Sequence, residues 1–471
     1  MPINSFLYPA PSTPTFAYQV ANSLRLDEPS NQGLTKTPSG AGNRRTFTLS
    51  TWVKRSKITN ETGDVQTMFE SRESNNDNCA LTFQTDDTLS IKLKVSGTNK
   101  SLITNRVFRD VSAWYHIVCA VDTTQSTSSN RVKIYVNGVQ ETSFGTEDYP
   151  SQDAQTSFNN SVGHGIGKRS DTTSQNFDGY LTEVVMIDGS ALAPTSFGEF
   201  DSDSPTIWKP IDISGLTFGT NGFYLDFEDS SALGNDVSGN NNDYSVSNLS
   251  AVDQSTDTCT NNFATLNDLV IGNSPTLTEG NLKFSSSDAN WRASASTIGV
   301  TQGKWYAEFK LDSANDYVNT GIATMSHFQQ TTNVKIGYTS TSYGYDANNG
   351  NYYVGDSATS YGASLSSGDI LGVALDLDNN KLYFSKNGTF QNSGDPTSGS
   401  TGTGAISITS GLEYFIATSA YGSGKGTSAN FGSPAYSISS GNSDANGHGN
   451  FEYSVPSGYF ALCTKNLAEN G

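Results

Sequence analysis

Basic residues, cysteine and long apolar runs are all scarce in this chain of 471 residues. Lys and Arg number 27 against 46 Asp and Glu, a formal net charge of −19. Binding a phosphodiester backbone needs clustered Lys and Arg, so the balance disfavours nucleic acid as partner, and an anionic membrane surface with it. No run of 18 or more apolar residues occurs, so insertion of a membrane-spanning helix is not expected. The N-terminus has no basic residue before Arg25 and no continuous apolar stretch, unlike a Sec-type signal peptide. Four cysteines cannot staple a chain of this length, and no CxxC or clustered Cys/His spacing offers a zinc site. Cys79 and Cys119 fall in apolar strand patterns and read as core residues. Cys259 and Cys463 bracket the C-terminal domain delimited below and are the one pair that could approach each other.

Helical periodicity is also nearly missing. Short alternating runs separated by Gly, Asn, Asp and Ser take its place, the pattern of an all-β protein built from antiparallel sandwiches. Residues 1–20, with Pro2, Pro9, Pro11 and Pro14, read as an extended arm that cannot build a core alone. A first domain is expected over 21–203, with strands at Phe47–Lys54, Ala80–Thr85, Leu89–Val95, Trp114–Asp122, Arg131–Val136, His164–Lys168 and within Phe177–Asp188. Val132, Ile134 and Val136 would point inward before a turn at Asn137-Gly138. Residues 204–257 read as a connecting segment in which Gly222–Phe227 docks as a strand on one of the sandwiches. A second domain is expected over 258–471.

The second domain carries GDILGVALDLDNNKLYFSKNGTF at Gly368–Phe390. Leu371, Val373, Leu375 and Leu377 alternate as in a strand with one buried face, Asp378-Asn379-Asn380-Lys381 supplies a turn, and Leu382 and Phe384 share a face of the return strand. This resembles the signature of the SPRY family, β-sandwich binding modules that present loops to partners. GKWYAEFKL, VNTGIAT and YFIATSAYGSGKGTSANFG extend the likeness over most of the domain. In the first domain FTLSTWVK, WYHIVCAVD, VKIYVNG and FDGYLTEVV come in the order of a laminin-G-like, concanavalin-A-like jelly roll. The pairing of the two, closed by VPSGYFALCTKNL, is similar to structural proteins of tailed bacteriophages.

The jelly-roll likeness raises glycoside hydrolysis, which needs carboxylates at period 2 on one strand. The nearest approach is Tyr224-Leu225-Asp226-Phe227-Glu228, where Asp226 and Glu228 would share a face but Tyr224 stands in the first acid's place. No Ser/His/Asp constellation or phosphate loop is present, and His116 inside WYHIV fits a structural role, so no catalysis is expected. Calcium is the cofactor the jelly-roll resemblance admits, with Asp226, Asp229, Asp236, Asn240 and Asp243 as candidate ligands and Asp171 and Asp178 as weaker ones. Tyr343, Tyr345, Tyr352, Tyr353 and Tyr361 crowd the approach to the signature strand and divide between framework and sugar-stacking roles. Loops 312–319, 391–404 and 421–428 have the Ser, Gly, Asn and Tyr content of adaptable binding loops. Asp316, Tyr317, Tyr345, Tyr353, Asn392, Asp395, Tyr421 and Lys425 are the candidate ligand-binding residues.

The resemblances imply a virion-associated binding protein, a tail fibre or receptor-binding adhesin recognising a host surface glycan or protein. Its arm would dock on other virion proteins, and a trimer is the usual fibre state. A capsid decoration or head-fibre protein, and a secreted bacterial surface-binding protein, stand as alternatives at this level.

Overall fold

A computed structural model describes residues 18–58, 63–272, 275–287, 289–312, 317–330 and 333–471. It is all-β: a concanavalin-A-like jelly roll followed by a SPRY sandwich, each made of two antiparallel sheets around its own core.

The jelly roll's first sheet is centred on Thr46–Arg55, flanked by Trp114–Asp122 on one side and Gly179–Asp188 on the other. Val132–Val136 adds beyond Trp114–Asp122, and Ser23–Leu26 adds beyond Gly179–Asp188. The second sheet runs in order Phe144–Glu147, Thr98–Val107, Thr88–Val95, Asn78–Phe83, Gln66–Arg72, Gly163–Ile166, Gly33–Lys36 and Ser245–Ser247. Val132, Ile134 and Val136 are buried while Lys133 and Tyr135 are half-buried, the alternation the sequence predicts. Asn137 and Gly138 have φ of 49° and 78°, the left-handed pair of a type I′ hairpin. Cys79 and Cys119 lie fully buried in this core with Phe47, Leu81 and Ile134.

In the SPRY sandwich one sheet runs Leu266–Gly272, Trp291–Ser296, Phe415–Tyr421, Val318–Ala323, Ser342–Asp346, Asn351–Val354, Ser357–Ser360. The facing sheet is centred on Lys304–Leu311, between Gly426–Asn430 and Ile370–Asp376, with Lys381–Lys386 paired to the latter. Leu371, Val373, Leu375, Leu382 and Phe384 enter the core between the sheets. The opposite face of the signature strands is buried too, a departure from the one-faced strand expected. Ala374 and Tyr383 pack with Tyr306, Phe451, Tyr459 and Cys463, because the chain's last segment folds back as a third layer.

Residues 204–257 run along the jelly roll, and the strand expected within Gly222–Phe227 docks there. Phe223–Leu225 pairs with Gly179–Asp188, Ser245–Ser247 with Gly33–Lys36, and Gln254–Ser255 with Ser23–Leu26. The two sandwiches then meet through buried polar groups. The Lys54 ammonium, 1% exposed, donates across the boundary to Asn262 Oδ1 at 2.7 Å and, within the jelly roll, to Asp257 Oδ2 at 2.8 Å. Arg25, held within the jelly roll by Asp253 at 3.3 Å, reaches across to Glu279 at 3.4 Å, and Tyr180 donates to the Gly280 carbonyl at 2.8 Å. The buried pairs Lys54–Asp257 and Arg25–Asp253 tie the end of the 204–257 segment to the jelly roll, since either charge left alone would be uncompensated.

All four cysteines are free thiols. No disulfide joins Cys259 to Cys463: Cys463 packs in the layer outside the SPRY sandwich with Phe263 and Tyr459, and Cys259 lines a cleft with Trp52, Trp114 and Trp208.

Candidate functional site

In antiparallel sheets directly opposed residues point to the same face. Trp291 opposes Tyr421, Ala293 opposes Ser419, Ser419 opposes Asn319, and Asn319 opposes Asp346. Gly344 opposes Tyr353 on the next pair. The register therefore lines up Trp291, Tyr421, Asn319, Asp346 and Tyr353 across four strand pairings on the outer face of one SPRY sheet. Farther along that face Ala293, Ala295, Ala323 and Ala417 are roofed by Phe328, Val334 and Ile336. At the open end the aromatic residues are only half-buried. Tyr317, 54% exposed with φ of 59°, sits edge-on to Tyr421 at 5.5 Å between ring centroids, and Trp291 lies 5.9 Å from Tyr421.

Lys335 crosses this row from the roofing loop. Its ammonium lies 3.5 Å from the Tyr353 ring centroid and 5.8 Å from that of Trp291, and pairs with Asp356 at 3.3 Å. Ile336 N donates to Ser419 Oγ at 2.9 Å, which places the loop over the row. Burial raises the Asp346 carboxyl above its ordinary range, and Lys335 lowers it in part. Asn319 is fully buried, and among the described residues neither its amide oxygen nor its amide nitrogen has a hydrogen-bond partner. This ledge offers flat apolar faces, one ammonium and carboxylates at the rim, a chemistry suited to stacking and edge hydrogen bonds.

Of the residues singled out by sequence, the ledge gathers Tyr317, Tyr353 and Tyr421, with Lys425 in the turn that follows Tyr421. Asp316 lies outside the described residues. Tyr345 belongs to the core, 1% exposed, with its hydroxyl donating to the Ala363 carbonyl. Its assignment to ligand binding is thus corrected: it falls one register position from Asp346 and faces inward. Asn392 and Asp395 lie in a loop against the opposite sheet, where Tyr459 donates to the Pro396 carbonyl at 3.2 Å. There Asp395 caps Thr397 N at 2.9 Å and Asn392 donates to the Gly404 carbonyl at 3.3 Å. Trp291 and Asn319 were missed because they join the tyrosines only through strand pairing, and Lys335 because it arrives on a loop laid over the sheet. The small residues at Ala293 and Ala295, two and four places after Trp291, are the local hint that this side of the strand is roofed.

The expected calcium ligands are spent on their own loop. Asp236 accepts from Tyr224 N at 2.9 Å and Asn242 N at 2.7 Å, and Asp243 accepts from Asp236 N at 2.9 Å. Asp229 accepts from Ser231 N at 2.9 Å, Asp226 from Glu228 N at 3.1 Å, and the Asn240 amide donates to the Gly219 carbonyl at 2.7 Å. Asp171 is held by Arg169 at 2.9 Å. Burial pushes the Asp178 carboxyl up to about 8, which disfavours the ionised form a hard cation needs. Among the described residues no three Asp, Glu, His or Cys side chains converge. These carboxylates do not form the predicted site.

The glucanase-like segment also departs from expectation. The strand ends at Leu225, and Phe227 adopts φ of 61°, so Asp226 and Glu228 do not continue one strand face. Tyr224 instead donates to Glu183 Oε2 at 2.8 Å. His116 is packed between Trp52 and Trp208, at centroid distances of 4.8 Å and 6.0 Å. Trp208 Nε1 donates to His116 Nδ1 and Ser50 Oγ bonds Nε2, both at 2.9 Å, while burial lowers its pKa to about 3. A neutral ring with both nitrogens engaged is a packing element.

Residues 29–195 match the family model for the concanavalin A-like lectin/glucanases superfamily, and residues 304–434 match that for the SPRY domain. Among solved structures the chain is similar to the SPRY domain of human HERC1, at 16% identity over 35% of this chain and 96% of that one, with a TM-score of 0.29. A second human SPRY domain is 14% identical over 34% of this chain and 94% of its own, with a TM-score of 0.25. No curated protein sequence matches the chain.

Proposed function

We propose that this chain is a binding protein carried on a bacteriophage particle, a tail fibre or receptor-binding adhesin, and that the ledge around Trp291, Tyr317 and Tyr421 docks a host surface glycan. The observation that carries the reading is the convergence of those three partly exposed aromatic rings on the outer face of the SPRY sheet, at the edge of the apolar cluster beneath the roofing loop. Pyranose rings present C–H faces that stack on such rings and hydroxyls that reach Asp356 and Lys335 at the rim. The net charge of −19 supports a neutral or polar ligand over a polyanion. A non-enzymatic role accords with the spent carboxylates of the Tyr224–Glu228 segment and with the neutral, enclosed His116. Assignment to a virion rests on the pairing of the two modules with the closing VPSGYFALCTKNL run.

Antibody raised against the purified chain should label intact particles and block their adsorption to bacteria. Trp291→Ala with Tyr421→Ala should abolish binding of the labelled chain to those cells. Its thermal midpoint should fall by no more than a few degrees, since both rings are partly solvated. Undiminished binding by that variant would overturn the assignment of the ledge.

A further inference from the structure

We infer that the cleft where the two modules meet seats Phe16 of the chain's own N-terminal segment, which thereby clamps the jelly roll to the SPRY sandwich. The inference is independent of the ledge. The cleft has a volume of about 320 Å³. Trp52, Trp114 and Trp208 line it from the jelly roll, and Lys465 and Ala468 line it from the C-terminal helix Thr464–Asn470, together with Cys259. A side chain held there touches both modules.

The polar groups of the lining are already engaged within the protein. Trp114 Nε1 donates to Asp257 Oδ1 at 3.2 Å, and Trp208 Nε1 donates to His116 Nδ1 at 2.9 Å. The Asn262 side chain donates to the Ser112 carbonyl at 2.6 Å and accepts from Lys54 at 2.7 Å, while Thr464 Oγ1 accepts from Asn262 N at 3.0 Å. Indole faces and the Ile207 and Ala468 side chains are what remain for an occupant. That surface suits an aromatic ring, held by stacking and by exclusion of water, and offers a sugar few hydrogen bonds.

The chain itself arrives at the rim. Val20 N donates to Thr260 Oγ1 at 3.1 Å, and Lys465 Nζ donates to Gln19 Oε1; Thr260 and Lys465 both line the cleft. Val20 is buried and Tyr18 half-buried, whereas Gln19 and Ala21 are exposed, so alternate positions face the protein. Phe16 is the next position in that alternation. Residues 1–17 lie outside the described residues; they include no Asp, Glu, Lys or Arg, and their aromatic residues are Phe6, Tyr8 and Phe16. Phe16 is separated from Tyr18 by roughly 7 Å of extended backbone, and closing so short a loop costs less entropy than returning Phe6 or Tyr8.

Cys259 reports on the cleft, because it is partly exposed while Cys79, Cys119 and Cys463 are fully buried. The test follows modification of Cys259 by a small neutral maleimide in the native full chain, located by peptide mass spectrometry, alongside acrylamide quenching of tryptophan fluorescence. Phe16→Ser and a variant lacking residues 1–17 should each speed modification by at least about fivefold, since access controls thiol reactivity. Both should increase quenching, and Trp114→Phe should remove most of that increase. Both should retain the fold, as the first described strand begins at Ser23. If Cys259 proves unreactive in every form, quenching decides. Rates and quenching unchanged in both variants would overturn the inference, as would a rise on deletion that Phe16→Ser does not reproduce. A parent rate that falls with protein concentration as dimers form would place another copy's segment in the cleft, and would overturn it too.

Discussion

Glu183 should make the jelly roll less stable as pH rises, a dependence that a single substitution removes. Its carboxyl is 6% exposed, sits at a β-bulge with φ of 50°, and accepts from Tyr224 at 2.8 Å and Tyr18 at 3.3 Å. No Lys, Arg or His pairs with it among the described residues. Burial, helped by the nearby charges of Asp226 and Glu228, pushes its pKa up to about 8. In the unfolded chain the group titrates near 4.5. Below that value both states are protonated and the full stability is present. Between about 4.5 and 8 the unfolded chain releases a proton that the folded one retains, so stability falls by about 1.4 kcal/mol per pH unit, flattening above 8. Between pH 5.5 and 8 that amounts to about 3 kcal/mol. Glu183→Gln mimics the protonated acid and keeps a carbonyl for the two phenols. In urea unfolding of the full chain, the variant's advantage over the parent should therefore grow by about 3 kcal/mol across that interval. A difference that stays constant with pH would refute the reasoning. Asp178, also pushed up to about 8 by burial, adds a second contribution of the same sign, which Asp178→Asn should remove independently.

Two further outcomes follow from the packing. Lys54→Ala leaves Asp257 buried without its cation and should cost about 3–5 kcal/mol, with Lys54→Met combined with Asp257→Asn recovering part of it in equilibrium unfolding. The four thiols should all titrate with a thiol reagent in denaturant without prior reduction, and reductant should leave the thermal midpoint unchanged; a count of two would restore a Cys259–Cys463 bond.

What the sequence determined by itself is largely local. Alternation at Val132–Val136 and Leu371–Leu377, Asn-Gly turns at Asn137 and Asn387, and the order of the two modules' strands were legible because period 2 and left-handed turn residues act over a few neighbours. Asn387 and Gly388 take φ of 47° and 78°, as their turn requires. Tertiary structure decided everything that depends on which strand lies beside which. Pairing decided that the docking strand of the connecting segment joins Gly179–Asp188, and the returning C-terminal segment buried the second face of the signature strand. The ledge is the clearest case: Trp291, Asn319, Tyr353 and Tyr421, spread over 131 residues of chain, share one face only through register, and Lys335 reaches it from the roofing loop. A shift of one residue in any of those pairings would exchange Tyr353 for Tyr352 or Asn319 for Val318. Side-chain direction in a sheet is fixed by hydrogen bonds to distant strands, and the chain's own order does not carry that information.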